Sequence, residues 1–158
     1  EELTFTEAVK DLCNQDTAVY GERRNVPPAP ASYEKCMEEI HCYEYAFLFD
    51  AVYEVPDAYD LSRCEDARRE HAALVRSLCD EMSARFGKVM PLSISCDLCD
   101  DCPCPKKPCK KPDQKIVSMD SYGVQIMRTL ADRDIAYDYG IDTAIYFTLI
   151  LFNGGDGE

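Results

Sequence analysis

The fold is decided by residues 43–55, which read Tyr-Glu-Tyr-Ala-Phe-Leu-Phe-Asp-Ala-Val-Tyr-Glu-Val. Aromatic and β-branched residues favour strands, and successive side chains of a strand point to opposite faces of the sheet. One face would carry the aromatic side chains from Tyr43 to Phe49, and the other would carry Ala46 and Leu48. Because both faces are apolar, we expect a strand that is covered on both sides.

A long amphipathic helix is predicted to follow, from Asp60 to about Phe86. Its apolar residues recur at helical spacing, and Gly87 provides the left-handed residue at which helices commonly end. Residues 89–94 then read as a second strand, with Pro91 indicating a position towards the sheet edge. A strand, a helix and a strand in this order predict a right-handed βαβ crossover and a parallel pair of strands.

Further elements are predicted on both sides of this unit. Residues 4–16 and 32–41 are predicted to be helices, a helix capped by Ser118 follows a cysteine-rich loop, and a last strand covers about 143–152. We therefore predict one α/β domain over residues 1–158, with a small mixed or parallel sheet, flanking helices and a cysteine-rich metal loop. Its successive parts are 1–42 with the N-terminal helices and a proline-rich loop, 43–95 with strand, helix and strand, 96–117 with the cysteine-rich loop, and 118–152 with a helix and a strand.

The chain of 158 residues has a formal net charge of −13. That charge argues against binding to nucleic acid or to an anionic membrane surface. No apolar stretch is long enough for a signal peptide or a membrane-spanning helix. A chain of this length buries enough surface to fold without disulfides, and closely spaced cysteine pairs have poor disulfide geometry. We therefore expect a reducing, cytoplasmic setting, with no nucleic acid and no membrane as partner.

Five of the ten cysteines lie within residues 96–109. Cys96, Cys99 and Cys102 form a C-x2-C-x2-C run in a loop that follows a predicted strand, where α/β folds usually hold ligands. Thiols this close together indicate a metal site, because a bound metal relieves the repulsion between thiolates. A structural zinc site usually takes two C-x2-C pairs separated by roughly ten to twenty residues. The successive two-residue gaps fit a [4Fe–4S] cluster better than Zn2+.

The spacing leaves the fourth ligand open. Cys109 has room to return across the Pro-Lys-Lys-Pro turn, whereas Cys104 lies between two prolines that limit how it closes on the same cluster. Between Cys96 and Asp113, four lysines offset four aspartates, and these lysines would partly balance the negative charge of the bound thiolates. The predicted metal ligands are therefore Cys96, Cys99, Cys102 and Cys109, with Cys104 in reserve.

The other cysteines and the two histidines are interpreted as packing residues. Cys36, Cys42, Cys64 and Cys79 are scattered over helices and strand edges, where free cysteine is usually a small buried hydrophobe. The histidines stand alone and form no H-x3-H arrangement. The sequence has no phosphate-binding glycine loop, no nucleophile elbow and no H-E-x-x-H motif, so it predicts no catalytic site.

A family resemblance adds to these observations. The stretch from Cys96 to Leu130, with Pro-Cys-Lys-Lys-Pro-Asp and then Ser-Met-Asp-Ser-Tyr-Gly at 118–123, resembles the prokaryotic proteins described as predicted metal-binding proteins, a family of unknown function. Its members tend to carry a few N-terminal cysteines, then Tyr-Gly, then Cys-Pro-Pro. This chain keeps Cys13 and the Tyr-Gly and Pro-Pro pairs, but Val26 stands where the next cysteine would be. The resemblance therefore implies one iron–sulfur type of metal site in anaerobic metabolism, with Cys13 as a further reserve ligand.

Taken together, the residues predict a metal-binding protein with one [4Fe–4S] cluster for electron transfer or redox sensing with a redox protein partner. A structural zinc-binding interaction module is the first alternative. A thiol- or cluster-dependent oxidoreductase is the second. Nothing in the sequence predicts a substrate or the oligomeric state.

Overall fold

The computed structural model describes residues 3–15, 32–55, 61–104, 106–137 and 139–154, with the side chains of 13–15 and 61 excluded. The predicted proline-rich loop and Val26 lie outside the described residues. The α-helices and strands of the described ranges are α1 (Glu7–Gln15), α2 (Tyr33–Ile40), β1 (Tyr45–Glu54), α3 (Leu61–Phe86), β2 (Val89–Ser93), β3 (Val117–Ser118), α4 (Ile126–Ala131) and β4 (Thr143–Phe152).

The strands form one mixed sheet in the order β1-β4-β2-β3. β4 is antiparallel to both β1 and β2, whereas β2 and β3 are parallel. β1 and β2 therefore run in the same direction on either side of the α3 crossover. The prediction that they pair directly was wrong, because the last strand of the chain lies between them and pairs with β1 along its whole length. The predicted α/β class with a small mixed sheet is confirmed.

Helices cover both faces of the sheet. On one face, α2 and the segment 119–124 pack over an apolar cluster, to which the sheet contributes Met90, Leu92, Leu149 and Leu151. On the opposite face α3 packs against β2 and β4. There Ala72 and Val75 form a second cluster with Ile116. Neighbouring residues of β4 point to opposite faces, so Thr148 meets His71 of α3 on the face opposite Leu149.

The edge of the sheet differs from the prediction. β2 is an inner strand, and Pro91 precedes the two residues, Leu92 and Ser93, that pair with β3. β1 is an edge strand instead. Its aromatic face is not fully covered, because Tyr45 and Phe47 remain 53% and 46% exposed.

Ser118 does not cap a helix as predicted. It lies in β3 and is followed by a 3-10 turn over Asp120–Tyr122. Gly123 then adopts a left-handed conformation with φ 75°, and α4 begins only at Ile126. A left-handed residue ends a right-handed helical turn, so one continuous helix from Ser118 is not formed.

α3 is the longest helix described, with 26 residues. Charged residues occur along its whole length. Over the ranges that the structure covers, no helix is both long enough and apolar enough to cross a membrane.

Candidate metal centre

The cysteine-rich loop connects two neighbouring strands of the sheet. It leaves β2 after Ser93 and returns in β3, where Val117 lies opposite Leu92 and Ser118 lies opposite Ser93. The Met119 N–H donates a further hydrogen bond to the Ser93 carbonyl oxygen, at 3.1 Å. The loop therefore starts at the C-terminal end of a strand, as predicted. It leads into a parallel strand rather than into a helix, so the sheet holds both of its ends.

Cys96 lies at the root of this loop, against α3. Its side chain packs at the edge of the apolar cluster beneath that helix. Burial raises the pKa of the Cys96 thiol, while backbone N–H groups of Ile116 and Leu98 and the charge of Arg76 act in the opposite direction. Hydrogen bonds from N–H groups to sulfur favour a thiolate over a thiol. Cys96 therefore has the local donors that suit a metal-bound thiolate.

The turn after Cys96 contains a carboxylate that is mostly buried. Asp97 adopts a left-handed backbone with φ 38°, which few residues other than glycine adopt. Its carboxylate accepts a hydrogen bond from the Ser95 hydroxyl. Its Oδ2 also lies 2.9 Å from Nε of Arg68 on α3. Among the described residues, no acceptor is aligned for a hydrogen bond with this buried Nε–H, so charge attraction holds the pair.

Arg76 contacts the same turn from further along α3. Its Nη1 donates a hydrogen bond to the Cys96 carbonyl oxygen, at 2.8 Å. Residues 68 and 76 are eight apart, which is slightly more than two helical turns, so both project from the same side of α3. Two guanidinium groups therefore lie beside the first predicted ligand.

The predicted ligands differ in their surroundings. Burial has the largest effect on the pKa of Cys96, and a charge on Cys109 raises it further, so these two sulfurs lie within electrostatic reach. Cys99 is half-buried, Cys102 is exposed and the reserve ligand Cys104 is 3% exposed. Within the described residues, no three His, Cys, Asp or Glu side chains converge as ligands of one ion. The side chain of Cys13 lies outside the described residues.

The chemistry of this site fits a metal–thiolate centre. Cys96, Cys99, Cys102 and Cys109 of the loop are free thiols, the form from which thiolate ligands arise. Backbone N–H groups point to one of the sulfurs, and a buried guanidinium N–H beside them has no aligned acceptor in the described part of the chain. Lys106, Lys107, Lys110 and Lys111 of the loop are exposed. The surroundings of the thiols thus offer positive charge and hydrogen-bond donors to a negatively charged centre.

Sequence reasoning missed the contribution of α3 to this site. Arg68 and Arg76 were read only as part of an amphipathic helix, and their contacts join residues that are distant in the chain. The one available signal was their spacing on a helix that precedes the loop. Asp97 lies within the cysteine motif, but no sequence signal indicates that its carboxylate supports the turn between the first two cysteines.

Most of the remaining cysteines and histidines agree with the packing interpretation. Cys36 is fully buried, and Cys79 lies partly buried at the edge of the cluster beneath α3. His71 is fully buried between α3 and the sheet. His41 and Cys42 are exposed, so the interpretation was wrong at those two positions.

Comparisons with known proteins give one match. No curated protein and no solved structure matches the chain. One family model does, with the description predicted metal-binding protein (DUF2284), and it covers residues 1–152. The resemblance seen in the cysteine loop is thereby confirmed. The chain belongs to this family of predicted metal-binding proteins, a domain of unknown function.

Proposed function

We propose that the protein carries one [4Fe–4S] cluster on Cys96, Cys99, Cys102 and Cys109 and exchanges single electrons with a protein partner in the cytoplasm. The observation that bears on the fourth ligand is that a charge on Cys109 acts on the Cys96 thiol and raises its pKa, although burial has the larger effect. The family's description as metal-binding supports the coarser part of the proposal. The C-x2-C-x2-C spacing supports the cluster over a single zinc ion.

The surroundings of the thiols support a negatively charged centre. Four thiolates on a cubane cluster leave net negative charge. Arg68 and Arg76 lie at the root of the loop, and four exposed lysines lie along it. Favourable charges and N–H donors stabilise such a centre and set its potential.

The exposed part of the loop supports exchange with a partner. Cys102 is exposed, so a centre bound there would lie close to the protein surface. A bound cluster supplies one-electron chemistry. In a complete cycle a reduced partner loses one electron and an oxidised partner gains it, so no other reactant is required. The chain provides the scaffold and the charged surface around the loop.

Anaerobic purification followed by absorption spectroscopy and by iron, sulfide and zinc analysis tests the proposal. We expect broad visible absorption with about four irons and four sulfides per chain, as a single cubane cluster requires. Zinc with no visible absorption would favour the structural zinc module instead. A cluster with only three protein ligands would favour the cluster-dependent oxidoreductase, because an open iron site can bind a substrate.

Serine variants test the ligand set. We expect Cys109→Ser to lose the assembled cluster and Cys104→Ser to retain it. Cys42→Ser is the matched control, because Cys42 is exposed and lies outside the loop. If Cys104→Ser abolished assembly while Cys109→Ser left it intact, Cys104 rather than Cys109 would be the fourth ligand.

A further inference from the structure

We propose that Arg68 and Arg76 are positioning residues for the metal centre. Together they hold the turn after Cys96 in the conformation that points the Leu98 N–H at its sulfur. This inference rests on the metal binding proposed above, but it does not depend on which metal is bound.

The conformation of the turn is what aims this donor. The Leu98 N–H follows directly after Asp97, so the left-handed φ of 38° at Asp97 sets its direction. This N–H reaches back to the Cys96 sulfur, and the Ile116 N–H approaches it from the far end of the loop. A left-handed backbone is unfavourable for a residue with a side chain. The turn therefore needs support from elsewhere to remain populated in the metal-free protein.

That support comes from the carboxylate of Asp97. Its Oδ2 lies 2.9 Å from Nε of Arg68, and the two side chains are only 9% and 24% exposed. Partial burial reduces screening by water, so the attraction is stronger than that of a surface pair. The Ser95 hydroxyl donates to the same carboxylate. Arg68 thus fixes the side chain of the residue whose backbone forms the turn.

Arg76 holds the backbone of the same turn. Its Nη1 donates to the carbonyl oxygen of Cys96, at 2.8 Å, and this carbonyl belongs to the peptide that joins Cys96 to Asp97. α3 itself is held on the sheet by apolar contacts, to which Val75 contributes with no exposed surface. Removing either guanidinium group should therefore loosen the turn while the helix stays in place.

Titration of reduced, metal-free protein with Co2+ under anaerobic conditions tests the inference. The variants are Arg68→Met and Arg76→Met, and the matched control is Arg69→Met. Arg69 lies on the same helix but is exposed, and its ion pairs with Glu65 and Asp66 are local to the helix. Loss of residues that orient metal ligands typically weakens metal affinity 10- to 100-fold. We expect the Co2+ dissociation constant to rise about tenfold or more in both variants and to stay unchanged in the control.

Two further variants separate positioning from general destabilisation. Asp97→Gly adopts the left-handed turn without support, so adding Arg68→Met to it should cause little further loss of Co2+ affinity. Arg76→Lys keeps one donor and the charge, so it should recover part of the affinity lost in Arg76→Met. Equal affinities in wild type and both methionine variants would overturn the inference. So would a loss of affinity that only parallels a loss of thermal stability.

The outcomes also distinguish this inference from the proposed function. Protein without iron and sulfide, but with Co2+ affinity that depends on both arginines, would contradict the electron carrier and support the positioning role. An assembled cluster whose ligand environment is unchanged in the methionine variants would support the carrier and contradict the positioning role. A protein that binds no Co2+ and assembles no cluster would overturn both.

Discussion

Nε2 of His71 on α3 lies 2.7 Å from Oγ1 of Thr148 in the middle of β4. Nδ1 of the same ring lies 3.1 Å from the Tyr53 hydroxyl, and Thr148 Oγ1 lies 2.7 Å from Ser93 Oγ. One neutral tautomer of His71 satisfies every hydrogen bond in this row of side chains. Tyr53 donates to Nδ1, Nε2–H donates to Thr148, Thr148 donates to Ser93, and Ser93 donates to the Phe147 carbonyl oxygen. A neutral, buried histidine therefore joins the long helix to three strands.

Acid should weaken this connection. Burial lowers the pKa of His71 to about 4, whereas the unfolded chain has an ordinary histidine pKa of about 6.5. Between these values the unfolded state binds a proton that the folded state does not. The contribution of His71 to the free energy of unfolding is therefore fully present above about pH 6.5. It falls by up to about 3 kcal/mol as the pH is lowered to about 4.

Urea unfolding at a series of pH values measures this effect. Carboxylates also respond to acid, so His71→Gln is the comparison, because glutamine does not titrate. We expect the variant to be less stable near neutral pH and to show a smaller fall in unfolding free energy between pH 6.5 and 4. Parallel pH profiles for the two proteins would contradict the assignment.

Tyr122→Phe should destabilise the opposite face of the sheet. The Tyr122 hydroxyl donates to Glu39 Oε2 at 2.6 Å, and the ring is only 4% exposed. Phenylalanine keeps the ring in the core but removes the donor to a charged group, at a cost of about 1–2 kcal/mol. Chemical denaturation measures the change. Tyr45→Phe on the exposed face of β1 is the control and should alter stability by less than about 0.5 kcal/mol.

Gly123→Ala should be more damaging than the same change at Gly87. Both glycines have φ 75°, but an added Cβ would lie 2.5 Å from the Thr6 carbonyl oxygen at Gly123 and would meet nothing within 4 Å at Gly87. Backbone strain alone costs roughly 1–2 kcal/mol at either position. The clash at Gly123 should add about 1–3 kcal/mol.

Thermal unfolding of the two alanine variants gives the comparison directly. The Thr6 N–H also donates to the Gly123 carbonyl oxygen at 2.8 Å, so a shift there separates the N-terminal segment from the turn before α4. Equal losses of stability at the two glycines would show that the close approach to Thr6 is absent in solution.

Metal removal should disorder the loop but not the sheet. The larger apolar cluster lies mainly on the sheet and α2 and includes no residue of 94–116, whereas the smaller one under α3 includes Ile116 and, at its edge, Cys96. After anaerobic chelation we expect faster amide exchange within 94–116 and unchanged protection in β1 and β4, since local opening is confined to segments with few buried contacts. Loss of protection throughout β4 would indicate that the metal is required for the whole fold.

Local sequence signals predicted the long elements well. α3 was expected over 60–86 and occupies Leu61–Phe86, because a long apolar stripe and a terminal Gly87 define it without help from the rest of the chain. The insertion of β4 between β1 and β2 had no such local signal. Strand order depends on contacts between residues far apart in the chain, and adjacent strand, helix and strand segments favour the simpler pairing.

The same distinction applies to the metal centre. Spacing alone predicted Cys96, Cys99 and Cys102 as ligands, because close thiols repel unless a metal binds them. The contacts of Arg68 and Arg76 with the loop arise only when α3 packs beside the end of β2. At Ser118 a local signal gave a wrong prediction. Serine favours the start of a helix, but here the residue pairs with β2, and the left-handed Gly123 ends the turn that follows.

The pairing of Val117 with Leu92 has a consequence for how the loop can vary. Closing a chain segment into a loop costs entropy, and each doubling of its length adds only about 0.6 kcal/mol. Formation of the sheet offsets this entropy, because pairing of β2 with β3 already fixes both ends of the loop. We therefore expect insertions or deletions among the exposed residues 106–108 to have little effect on the fold. The loop between β2 and β3 can therefore change in sequence while the sheet stays the same. A different spacing of its thiols would then favour a different metal on the same fold.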